Sequence, residues 1–142
     1  MIEVTTAAAA DERVLIAVER LLGQLSASAV FDPALVERVV REESCTLLLA
    51  EEEGEVLGMA TLVVAPSPSG LRGHVEDVVV DEAARGRGAG RALVARLVEL
   101  AREARLRSLE LTSRPSRVAA IALYESAGFR RRETNVLRID LV

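Results

Sequence analysis

The stretch that most constrains the fold of this chain is Val78-Val79-Val80-Asp81-Glu82-Ala83-Ala84-Arg85-Gly86-Arg87-Gly88-Ala89-Gly90. A valine run gives way to glycines at alternate positions, and then to Leu93, Leu97 and Leu100 at helical spacing. The pattern reads strand, turn, helix. Glycines at the entry to a helix permit positive φ and let the backbone approach a ligand closely. The first helical N–H groups lack intrahelical partners and lie at the positive end of the helix dipole. Such an end binds phosphate. Arg85, Arg87 and Arg91 add positive charge around the same point, so the residues by themselves indicate a polyphosphate site. Two familiar phosphate motifs do not fit. A P-loop needs Gly-Lys-Ser/Thr, and the chain has no Lys. A dinucleotide fingerprint needs G-x-G-x-x-G, a spacing that Gly86-x-Gly88-x-Gly90 lacks. The competing reading is an ordinary flexible turn before a helix.

The other elements follow from periodicity and punctuation. Ile2–Thr5 is β-branched and predicts a short strand. Asp11 opens a helical pattern through Val14, Leu15, Val18, Leu21, Leu22 and Leu25, which ends near Gly23 to Ser28. Asp32-Pro33 signals a second helix, a cap followed by proline at the first position. Thr46–Ala50, a turn over Glu51–Glu55 and Val56–Val64 predict a hairpin. A Pro/Ser/Gly loop leads to a third strand, His74–Val80, and the glycine turn opens a helix from Gly88 to Ala104. Ser108–Thr112 predicts a strand, Ser116–Ala127 a helix closed by Gly128, and Phe129–Arg132 and Val136–Leu141 two further strands. Together these predict an α/β fold in one domain, residues 1–142, with a mixed sheet flanked by helices.

Composition narrows the function. Net charge is −4, so no global field draws the chain to nucleic acid or an anionic membrane. One Tyr, two Phe and no Trp provide no base-stacking platform. The single cysteine, Cys45, forms neither an internal disulfide nor a zinc cluster, and reads as a small hydrophobe at a strand start. No apolar run has the length of a membrane span, and the N-terminus lacks the basic and apolar regions of a signal peptide. The expected location is cytoplasmic.

Arg85-x-x-Gly88-x-Gly90 resembles the acetyl-CoA signature of the GNAT N-acetyltransferases, Q/R-x-x-G-x-G/A. The strand Gly73-His74-Val75-Glu76-Asp77-Val78-Val79-Val80-Asp81 looks like that family's central strand. Ala120-x-x-Leu123-Tyr124-Glu125-x-x-Gly128-Phe129 looks like its late helix and the following strand. Three blocks in the right order over Gly73–Phe129 are more specific than any one of them. Residues 1–70 match in element order. The resemblance implies the GNAT fold, with a mixed, mostly antiparallel sheet of about six to seven strands and about four helices.

It also implies roles. Acetyl-CoA would serve as co-substrate. The backbone of Val78, Val79 and Val80 would pair with pantetheine amides, and Arg85, Gly86, Arg87, Gly88, Ala89, Gly90 and Arg91 would hold the pyrophosphate. Tyr124, the only tyrosine, would donate a proton to the departing thiolate. A phenol is protonated at neutral pH, so it starts as a donor. Glu76 is assigned as the base that takes the proton of a primary amine, with His74 a second candidate on the same face. Glu76 and Asp77 are adjacent on a strand and point to opposite sides unless a bulge intervenes.

One departure from the family pattern is Arg117, which stands where an asparagine commonly contacts the pantetheine arm. Arg117 or Arg114 is read instead as a contact to a CoA phosphate, with Arg117 carried as the candidate, against the plainer reading of a solvated face. The Gly73–Val80 strand also resembles glucosamine-6-phosphate N-acetyltransferases. Ser113–Arg117 has no carboxylate where those enzymes use one, so that acceptor is not adopted. The acceptor is a small-molecule or peptide amine, and a homodimer is compatible with the family. The Arg130-Arg131-Arg132 run reads as a solvated face. The rival functional reading is a CoA-binding sensor without turnover.

Overall fold

Two aspartates start the first two helices. In the computed structural model, which describes residues Met1–Val142, the Asp11 carboxylate accepts a hydrogen bond from the Val14 N–H at 2.9 Å and opens α1, Glu12–Leu25. Asp32 accepts from the Ala34 N–H at 3.0 Å, and Pro33 takes the first position of α2, Pro33–Arg41. Each cap satisfies a donor that would otherwise be unpaired.

The strands are β1 (Glu3–Thr6), β2 (Cys45–Glu52), β3 (Glu55–Ser67), β4 (Gly70–Val80) and β5 (Ser108–Glu110), and they lie in that order across one sheet. The first three junctions are antiparallel, and β4–β5 is parallel. Leu47, Leu48, Leu49 and Ala50 of β2 are all buried, because this inner strand is covered on both faces. One core joins Val14, Ala17, Val18 and Leu21 of α1 to Leu47, Leu49, Met59 and Val79 of the sheet. The other packs Leu93 and Leu97 of α3, Ala89–Glu103, against Leu48, Leu57, Leu62 and Val75. The sheet is therefore the middle of three layers. A ninth element, α4 (Val118–Ser126), follows β5 and touches α3, where Leu123 lies beside Gly90.

The sheet has five strands where six to seven were expected. The segments Phe129–Arg132 and Val136–Leu141 form no strand, and residues 130–142 make no backbone hydrogen bond. Alternation of Leu137, Ile139 and Leu141 is a sound strand signal, but a strand exists only against a partner, and within this chain none is supplied. The strand expected at Ser108–Thr112 ends at Glu110, and α4 starts at Val118 rather than Ser116 because a turn, with the Arg117 N–H bonded to the Arg114 carbonyl, precedes it.

Candidate active site

The glycine turn is anchored before it begins. Asp81, just after β4, accepts from the Ala83 N–H at 3.0 Å and starts a single 3-10 turn over Glu82–Ala84. The Ala83 N–H holds the Asp81 carboxyl below the usual carboxylate range, and Gln24 and Arg20 act in the same direction against partial desolvation. Arg20 Nε donates to Asp81 at 3.0 Å, and the Glu82 N–H donates to Gln24 at 2.9 Å, so α1 grips the approach to the turn.

Gly86 and Gly88 then take φ of 80° and 91°, values that a side chain disfavours. A Cβ at either position would meet nothing within 4 Å, so backbone conformation alone demands glycine there. Gly90 differs. Its Cβ would lie 3.1 Å from a Leu123 methyl and 3.5 Å from Val80, so packing of α3 on α4 and β4 leaves little room for a side chain there. Gly88 caps α3 with no side-chain bond, and the N–H groups from Gly86 to Arg91 find no acceptor in the chain. Arg85 and Arg91 are exposed beside this row of donors, Ala89 is buried beneath it, and Arg87 pairs with Glu52 at 2.8 Å.

The sheet opens next to the same turn. Pairing of β4 with β5 stops at His74 and Glu110. From Val75 to Val80, β4 is bonded on its β3 side only. The Asp81 N–H donates to the Leu57 carbonyl of β3 at 2.7 Å. Backbone groups alternate in direction along a strand, so Val79 also faces β3, and the N–H and C=O of Val78 and Val80 face the opening. Val79 packs its side chain in the core with α1.

A β-bulge interrupts β4 at the point where the opening begins. Thr61 pairs with Glu76 and Met59 with Val79, so Ala60 faces an extra residue. That residue is Asp77, one of three non-glycine residues at positive φ, here 50°. Val75 and Val78 consequently pack against the same α3 side, although they are three positions apart. Strict alternation therefore does not separate Glu76 from Asp77. Glu76 is exposed opposite Thr61, on the side of the sheet that carries α1 and α2, and His74 lies two residues earlier on that side. The Asp77 side chain reaches solvent, yet burial of its carboxyl pushes its pKa above the ordinary 3.8.

Tyr124 projects from α4 and is half-buried, edge-on to Phe129 with ring centroids 5.9 Å apart. The Phe129 N–H donates to the Tyr124 carbonyl at 3.1 Å, closing the helix. Burial pushes the Tyr124 pKa above 10, opposed by the positive charge of Arg117. Arg117 stands at the start of α4 and reaches back to the Leu25 carbonyl at the end of α1, at 3.3 Å. It thus ties α4 to the layer on the Glu76 side. Sequence reading did not find this tie, left open whether a bulge intervenes at Glu76–Asp77, and overlooked the Arg20–Asp81–Gln24 anchor. The first two have no local signal, whereas an aspartate directly after a strand and before a turn is a cap signal.

Comparison with known proteins agrees with this geometry. The model of the Acetyltransferase (GNAT) family matches residues 16–129. The chain is 37% identical over 121 residues to "Probable glucosamine 6-phosphate N-acetyltransferase 2" of Oryza sativa subsp. japonica, covering 77% of this chain and 71% of that one. It is 43% identical over 93 residues to a mycothiol acetyltransferase of Amycolatopsis mediterranei, covering 62% of this chain and 31% of that longer protein. A Trypanosoma brucei acetyltransferase crystal structure superposes with a TM-score of 0.81 at 28% identity, covering 99% of this chain and 100% of the other.

Proposed function

The chain belongs to the GNAT family of acetyltransferases, and from that premise we propose that it binds acetyl-CoA along the open side of β4 and transfers the acetyl group to a small primary amine. The observation that carries this reading is the continuity of two unpaired backbone surfaces. The N–H row from Gly86 to Arg91 suits a diphosphate, with Arg85 and Arg91 beside it. Arg87 joins them if it leaves Glu52. The free edge at Val78 and Val80 suits the amides of a pantetheine arm, which would satisfy groups that are costly to leave buried and unpaired. Arg117 holds α4 against α1 and serves a CoA phosphate only by exchanging its bond to Leu25.

In this reading the amine enters on the α1–α2 side, where Glu76 lies. The carboxylates at the bulge draw an ammonium ion and take its proton. Asp77, whose pKa is raised, is suited to accept it. The neutral nitrogen attacks the thioester carbon, and N–H groups at the edge of β4 stabilise the oxyanion. As the C–S bond breaks, the Tyr124 phenol gives its proton to the thiolate. The surplus proton on the new amide nitrogen restores the phenol. The names of the relatives support amino sugars and amino-sugar conjugates as the first acceptors to try.

The test is acetyl-CoA turnover against a panel of amines, read by thiol release, with wild type and Tyr124→Phe. Transfer to at least one amine, slowed in the variant, is expected. CoA binding without transfer to any amine would leave a sensor and overturn the catalytic reading.

A further inference from the structure

Arg117 is fixed at one end of α1 yet belongs to α4. Its Nη2 donates to the Leu25 carbonyl at 3.3 Å. A helix C-terminus carries unpaired carbonyls and the negative end of the dipole, so a cation is favoured there. The bond is to a neutral group. Arg131 and Arg132, beyond α4, have the carboxylates of Glu125 and Glu110 as partners, whereas Arg117 has no carboxylate. Its charge is held in place and left uncancelled.

Tyr124 lies seven residues further along α4, close to two helical turns, so the two side chains share one side of the helix. Helical side chains lean toward the N-terminus, which brings the phenol back toward Arg117. Between them the helix reads Val118-Ala119-Ala120-Ile121-Ala122-Leu123, without a polar side chain. Phe129 sets its ring edge-on to the phenol. The other charges nearby are engaged or set apart. Glu125 of α4 pairs with Arg131, and α3 meets α4 at Gly90 and Leu123, with Arg91 exposed beside that contact. The one charge whose field reaches the phenol is that of Arg117, which opposes the effect of burial. A half-buried phenol in apolar surroundings is a poor acid, because the phenolate it leaves is poorly solvated. A fixed cation on the same side of the helix counters this.

We propose that Arg117 is a positioning residue for the proton donor: held to the end of α1, its guanidinium stabilises the phenolate that Tyr124 becomes when its O–H bond breaks and an S–H bond forms on CoA. The purpose of this device rests on the transfer reading above. The phenolate then takes the surplus proton of the new amide nitrogen, and Arg117 neither gains nor loses one. In the free chain Arg117 is exposed, and water screens its charge. Acetyl-CoA laid along β4 displaces part of that water and strengthens the field when the thiolate leaves. The arginine that departs from the family pattern thus serves the leaving group through Tyr124.

The chain has one tyrosine and no tryptophan, so the ultraviolet absorbance of phenolate reports Tyr124 alone. Titrated with alkali, Arg117→Gln should form phenolate at higher pH than wild type, with circular dichroism confirming the fold at each step. Arginine stays charged over that range. With an amine that the wild type acetylates, Arg117→Gln should lower kcat by about 3–10-fold, a part of the roughly 100-fold or more that the whole donor is worth. KM for acetyl-CoA should not change. Arg117→Lys is charged at neutral pH and should restore most of kcat there. In the Tyr124→Phe background, Arg117→Gln should lower kcat no further. Coincident phenol titrations in wild type and Arg117→Gln would overturn the proposal. So would a lysine variant no faster than the glutamine one, or a loss confined to KM, which would put Arg117 on the cofactor. The titration needs no substrate, so it judges this proposal apart from the transfer reading, which the amine panel judges.

Discussion

Gly88→Ala isolates the conformational demand of the turn. Gly88 has φ 91° and ψ 7°, and a Cβ there would meet no atom within 4 Å. The substitution therefore adds backbone strain and no collision, about 1–2 kcal/mol for an alanine held left-handed. That strain has two outlets. If the turn keeps its shape, the free protein loses the whole amount, a fall in Tm of about 3–8 °C for a domain of this size. If the turn relaxes, the N–H row is no longer preset, and the strain reappears on binding as a CoA Kd weaker by roughly 5–30-fold. The two losses should sum to the same 1–2 kcal/mol. Thermal melts with and without CoA, and titration calorimetry with CoA, measure both. Gly88→Asn should recover part of the loss, since asparagine tolerates this region better. Gly23→Ala, in α1 with open space around it and no positive φ, should instead stabilise by about 0.5–1 kcal/mol. If Gly88→Ala left both Tm and Kd unchanged, the preset turn would not be the phosphate site.

Further expectations concern single side chains. Tyr124→Phe should lower kcat by about 100-fold or more if proton donation limits the rate, with CoA Kd unchanged in calorimetry. A drop confined to KM would show that the phenol only positions substrate. Asp77→Asn should remove the acid limb of the pH–rate profile, which should lie above the ordinary carboxylate range because the folded pKa is raised. A raised carboxylate pKa means that the folded state disfavours the charge at neutral pH, so the same variant should melt higher at pH 7 while losing activity. A lower Tm would refute the desolvation argument. Asp81 has the opposite sign. Its depressed pKa contributes stability that is present above 3.8 and lost as pH falls through the lower folded value. Asp81→Ala should cost about 1 kcal/mol, as for other capping residues, in denaturant melts at pH 7.

Much of this arrangement is written locally. Asp11, Asp32 and Pro33 announce their helices because each cap acts on N–H groups within three residues. The glycine turn is legible for the same reason, since positive φ at positions 86 and 88 is a property of the residues themselves. The exact position of the bulge, at Asp77, is not. It arises from a mismatch of register between β3 and β4, and an aspartate at φ 50° carries no advance mark in a valine-rich run. Arg117 illustrates a second limit. Its bond to the Leu25 carbonyl spans 92 positions of sequence, so only the packed fold brings the partners together. The final segment shows a third. Leu137, Ile139 and Leu141 state that a strand is wanted, but alternation cannot say which edge receives it.

The free side of β4 has a consequence for how such a protein tolerates change. Val78 and Val80 offer peptide groups to the opening, and every residue except proline presents the same donor and acceptor there. Swapping either valine for isoleucine or threonine should leave that grip in place, whereas proline at position 80 should abolish it. In the proposed reading, discrimination among amines falls instead to side chains, such as that of Glu76 on the same strand. The handle and the lock are thus made of different material, and the lock can be recut without loosening the handle.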